Sequence, residues 1–154
     1  MQVKDVVTTV SDYKETGLLV AFPKCTFKCC KETNFCQNSE LTKQENIEID
    51  VYNIVKMFNP EIHKALIFGG LEPLDSYVDM MLLIEAFRGK YNRPVIIYTG
   101  FTEKEVESTG AFAWFNFFGN IIVKYGRYVP NEKSHFDEVL GVNLASNNQY
   151  AVKY

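Results

Sequence analysis

Four short apolar runs punctuate the chain, and each leads into glycine or cysteine. "GLLVAF" (17–22) is too short for a helix and apolar throughout, so it reads as a buried strand. "KALIFGG" (64–70) and "PVIIYTG" (94–100) read the same way, and "NIIVKYGRY" (120–128) reads as a fourth strand with its exit. The segments between them carry helix signals. "DVYNIVKMF" (50–58) has Asp50 placed as an N-cap. "SYVDMMLLIEAFRGKY" (76–91) is the clearest helix, with Ser76 as its cap and apolar residues too dense for a fully solvated face. "TEKEVEST" (102–109) opens on Thr102 with Glu105 three residues on, a capping box. The tail is irregular apart from a last strand read in "QYAVKY". Strands alternating with helices predict βαβ units and an α/β fold with a mostly parallel sheet.

Ligands of such sheets lie outside the carboxyl ends of the strands. The unusual residues all fall there. A cysteine loop leaves the first strand, Gly69-Gly70 the second, Thr99-Gly100 the third and Gly126 the fourth. One site at one sheet edge is therefore expected.

Composition narrows the setting. A length of 154 residues predicts a single domain over 1–154, and 47% apolar residues build a core without staples. The net charge of −3 is scattered, so no basic face for nucleic acid is expected. No apolar run approaches the ~18 residues of a membrane span. "MQVKDVVTTV" lacks the pattern of a secretory signal, and the expectation is a soluble cytoplasmic protein with reduced thiols.

That expectation sharpens the cysteine question, because Cys25, Cys29, Cys30 and Cys36 occupy a window of twelve positions. Clustered thiols in a reduced compartment bind metal or do redox chemistry. Four thiolates suit tetrahedral zinc. The side chains of adjacent Cys29 and Cys30 diverge, however, so three ligands from Cys25, Cys29 and Cys36 are geometrically easier. Three thiolates leave one position open on zinc, or one iron open on a [4Fe–4S] cluster. His63 and His135 stand at no metal spacing and read as surface or capping residues. Lys24, Lys28 and Lys31 can offset an anionic cluster, dock an acidic electron donor, or simply aid solubility.

"CTFKCCKETNFCQNSEL" followed by "FGGLEPL" resembles the radical S-adenosylmethionine (SAM) superfamily. The likeness is strongest to the anaerobic ribonucleoside-triphosphate reductase activating proteins and their small relatives. It continues through "IIYTGFTEKEV", "IIVKYGRYVP" and "NNQYAVKY", and so covers most of the chain. The cysteines and the Gly-Gly-x-Glu-Pro segment, in that order, carry the specificity. The family's CxxxCxxC pattern would place its third cysteine at position 32, which is Glu32. Cys36, with Phe35 before it and Asn38–Leu41 after it, is the favoured third ligand, giving CxxxC-x₆-C, and Cys30 becomes a bystander.

The resemblance implies a [4Fe–4S] cluster on Cys25, Cys29 and Cys36, with SAM chelating the open iron. Reduction of the sulfonium would release methionine and a 5′-deoxyadenosyl radical. It also implies that Gly69 and Gly70 let the backbone approach SAM, and that Glu72 accepts from the SAM ammonium. Thr99 and Gly100 would meet the ribose or carboxylate, and Phe35 would pack on the adenine or shield the cluster. A full (β/α)₈ barrel takes ~250 residues, so the expected architecture is a partial, open barrel of the radical SAM type. Its open side suits a large protein partner. The implied partners are a glycyl radical enzyme such as anaerobic ribonucleotide reductase and a low-potential donor such as flavodoxin or ferredoxin. Modification of another peptide or protein, and a non-catalytic zinc- or cluster-binding module, remain open as alternatives.

Overall fold

The computed structural model describes residues 1–26 and 36–154. The apolar runs become strands β3 (Gly17–Phe22), β5 (Ala65–Gly70), β6 (Val95–Tyr98) and β7 (Ile121–Tyr125). These four pair in parallel and in chain order. Two antiparallel edge strands complete a six-stranded sheet, β2 (Asp5–Thr9) beside β3 and β10 (Tyr150–Lys153) beside β7. Its order is β10-β7-β6-β5-β3-β2, and among the described residues it does not close on itself. Short pairs flank it: β1 (Gln2–Val3) with β4 (Ile47–Glu48), and β8 (His135–Asp137) with β9 (Val142–Leu144).

Five helices lie among the described residues: α1 (Ser39–Lys43), α2 (Val51–Met57), α3 (Tyr77–Arg88), α4 (Glu103–Ser108) and α5 (Ala111–Phe118). Right-handed crossovers between strands in sequential order put every connecting helix on the same face of the sheet. The packing agrees. Ile54 of α2, Leu83 and Phe87 of α3, Val106 of α4 and Phe115 of α5 share one core with Leu18, Phe68, Ile97 and Val123. The alternate residues Ile67, Ile96 and Ile122 face the other side, where Tyr13, Leu140 and Leu144 cover them. The two-sided burial of the strands is why they read as continuous apolar runs.

Local signals behave as their chemistry requires, with one correction. Asp50 caps α2 by accepting from Tyr52 N–H at 2.8 Å. Ser76, expected to cap α3, makes no cap bond, and its Oγ is buried with no partner among the described residues. The helical path instead begins one turn earlier, in a 3₁₀ turn over Pro73–Ser76 with Pro at its start and Glu72 as its cap. Several elements lay outside the sequence expectations, α5, β2 and the β8–β9 hairpin among them. α5, "AFAWFNFF", has no polar face to set a period and is bounded by Gly110 and Gly119, both at positive φ. β2 and the β8–β9 hairpin are short and half-exposed, so their alternation is weak.

The capping box of α4 is complete, and Arg127 Nη2 adds an ion pair to Glu105 at 2.6 Å. Arg127, together with the Thr102 N–H and hydroxyl, holds the Glu105 carboxyl down at about 2. A carboxyl lowered in the folded state stabilises fully above its unfolded value, 4.5, and loses that contribution as pH falls towards 2. Urea titrations should therefore show a shallower acid-side decline over this window in Glu105→Gln than in the wild type. Identical slopes would mean that the pair is screened by solvent.

Candidate functional site

Pairing register shapes the open face at the carboxyl ends of the strands. Across one row run Asp5, Ala21, Gly69, Tyr98 and Lys124, with Val7, Leu19, Ile67, Ile96 and Ile122 one step behind. Two small residues, Ala21 and Gly69, thus sit side by side between larger ones. The result is a cleft of about 560 Å³ lined by sheet residues, the strand exits and both ends of the cysteine loop. A Cβ built on Gly69 would stand 3.4 Å from Leu19 Cδ1 and 3.8 Å from Tyr98 Cβ, so it would narrow the hollow without a hard clash.

Cys25, Cys36, Gly69, Gly70, Glu72, Thr99 and Gly100 all line this cleft, as does Gly126. Cys29, Cys30 and Phe35 lie outside the described residues. Cys25 and Cys36 are half-buried, and Cys36 Sγ accepts from Asn38 N–H at 3.4 Å. Among the described residues, no three of His, Cys, Asp and Glu are grouped as a metal set.

Glycine is required at two of these exits. Gly70 has φ +80°, and a Cβ there would come within 2.8 Å of Ala21 Cα, so β5 and β3 pack backbone to backbone at the rim. Gly126 has φ +94°, and a Cβ would meet Asn148 O at 2.8 Å. The Gly126 carbonyl in turn accepts from Lys124 Nζ at 3.0 Å and Gln149 Nε2 at 3.2 Å.

Glu72 is tightly constrained within the cleft. It is 6% exposed. Its Oε1 accepts from Leu74 N–H at 3.1 Å and Thr99 Oγ1 at 2.7 Å, and its Oε2 from Gly100 N–H at 2.8 Å. Thr99 Oγ1 accepts in turn from Phe101 N–H at 3.0 Å. Burial pushes the carboxyl above its usual value, against the pull of those donors, with Asp75 adding a small upward push. The carboxylate therefore cross-links the exit of β5 to the exit of β6. Of its roughly four acceptor positions, at least three serve the chain.

No family model, curated protein or solved structure matches the chain. The site therefore stands on its own geometry. Among the described residues no helix is long and apolar enough to cross a membrane.

His63 is a buried structural residue rather than a surface one. Its Nδ1 accepts from Asn59 N–H at 3.0 Å, which leaves the proton on Nε2, 2.9 Å from Thr8 Oγ1. Sequence reasoning missed Tyr98, Lys124, Asn38 and Asp75. Tyr98 lines the cleft and donates through its hydroxyl to Asp12 O at 2.5 Å. Lys124 is 7% exposed on a central strand, and a lone lysine inside "IIVKY" was the available signal.

Proposed function

We propose that the chain is a radical SAM enzyme that generates a glycyl radical on a large partner protein. One observation carries the reading. Two cysteines of the cluster-like loop, the Gly69-Gly70 exit and the Thr99–Gly100 exit converge on one cleft at the carboxyl ends of parallel strands.

The donor set suits the cofactors. Cys25 and Cys36 offer thiolate ligands at the cleft edge, with Cys29 as the third ligand that the resemblance implies. Bound there, a [4Fe–4S] cluster supplies the electron that cleaves the SAM sulfonium. Gly69 leaves room for the methionine portion against the sheet. In this reading Glu72 Oε2 accepts from the ammonium group. Glu72 also fixes Thr99 and Gly100, which present the neighbouring backbone to the ligand. Apolar Leu19, Val142 and Leu144 exclude water from the inner wall. The four sequential parallel strands suit an open, partial barrel, whose uncovered side a protein substrate would close.

Anaerobically reconstituted protein is expected to hold iron and sulfide. With a reductant and SAM it should release methionine and 5′-deoxyadenosine. Adding the reductase partner should yield a glycyl-radical signal in electron paramagnetic resonance. SAM cleavage without that signal would remove the activase reading and leave peptide or protein modification of another kind. Zinc without sulfide would remove both and leave a metal-binding module.

A further inference from the structure

Both ends of the cysteine loop are tied to the end of β5 and the segment that follows it. At the upstream end, Leu71 N–H donates to Phe22 O at 3.3 Å and Glu72 N–H to Lys24 O at 2.8 Å. Thr26 N–H then donates to Asp75 Oδ2 at 2.5 Å. At the downstream end, Asn38 Nδ2 donates to Gly70 O at 2.5 Å, while the Asn38 backbone N–H reaches Cys36 Sγ. Two of these ties use side chains, and each side chain acts one or two residues from a cysteine of the cleft.

We propose that Asn38 and Asp75 are positioning residues that hold Cys25 and Cys36 ready for a shared metal. The inference rests on the metal site proposed above. Holding two ligand side chains on one metal costs the entropy of ordering them. Ends already pinned to a rigid strand exit remove most of it before the metal arrives, which appears as affinity. Gly70 is a fit anchor, because its backbone packs directly against Ala21 of the neighbouring strand. Asp75 is equally fixed, because the 3₁₀ turn that carries it is capped by buried Glu72.

The test is a cobalt(II) titration of the reduced, metal-free protein, read by the thiolate-to-cobalt absorption band. Asn38→Ala is expected to weaken binding about fivefold and Asp75→Ala about tenfold, with melting temperatures of the metal-free proteins unchanged. Asn38→Asp, which loses the donor, should match Asn38→Ala or fall below it. Asp75→Asn keeps an oxygen for Thr26 N–H and should bind nearly as the wild type does. If Asp75→Asn is as weak as Asp75→Ala, charge is the cause and the tie is overturned. Alanine variants that bind like the wild type, or that lose affinity only in step with melting temperature, overturn it as well. A wild type without the cobalt–thiolate band would overturn the shared metal site and this inference together, so the two failures are distinguishable.

Discussion

Cys36→Ala is expected to lose the cluster and, with it, SAM cleavage by about 100-fold or more, since a [4Fe–4S] centre tolerates removal of a ligand poorly. Cys30→Ala should keep both near wild-type levels. Side chains of neighbouring residues tend to point apart, so only one of positions 29 and 30 is expected at a shared centre. The assignment to Cys36 is strengthened by position. Cys36 lines the same cleft as Cys25, and its sulfur receives a backbone N–H from Asn38. Amide hydrogen bonds of this kind stabilise a thiolate and tune the potential of a cluster it ligates. Asn38 is in turn fixed to Gly70, so position 36 is held beside the glycine exit. Iron and sulfide content of the two reconstituted variants, followed by deoxyadenosine release, decides the matter. Loss in Cys30→Ala with retention in Cys36→Ala would move the third ligand to position 30.

The parts of this structure that were legible in the sequence are those whose signals are local. β3, β5, β6 and β7 were readable because strands buried on both faces are uniformly apolar. Thr102 with Glu105, and Asp50, were readable because a cap is a short-range exchange between a side chain and nearby amides. The glycine exits were readable because parallel strands expose ligands at their carboxyl ends. What was not legible depends on register. That Ala21 lies beside Gly69, and Tyr98 beside Lys124, follows from strand pairing and from nothing within either segment. The same holds for Asn38 and Asp75, whose partners lie 32 and 49 residues away. Ser76 was misread for a related reason. A serine before an apolar helix is a good cap by rule, but the Glu72–Pro73 pair one turn earlier had already started the helical path.

Glu72→Ala is expected to destabilise the fold by about 3–5 kcal/mol, because each buried donor left without an acceptor costs ~1–3 kcal/mol. Three donors are at stake: Leu74 N–H, the Thr99 hydroxyl and Gly100 N–H. Gly100 lines the cleft, so water can replace its bond in part, which sets the total below three full penalties. Glu72→Gln should cost much less, about 1 kcal/mol. The amide oxygen keeps the bonds to Leu74 and Thr99, and a neutral group avoids the desolvation that raises the native carboxyl. Its NH₂ then opposes Gly100 N–H, and that one bond is lost. Urea denaturation of the metal-free proteins measures both effects without reference to any cofactor. An alanine variant within about 1 kcal/mol of the wild type would show that the carboxylate is not the cross-link between the β5 and β6 exits. If the cross-link holds, the Gln variant becomes informative about function. It keeps the shape of the cleft but places a donor where Oε2 accepted, so SAM affinity should fall far more than stability does. The separation would arise because one carboxylate both ties the two exits together and, in the proposed site, accepts from the SAM ammonium.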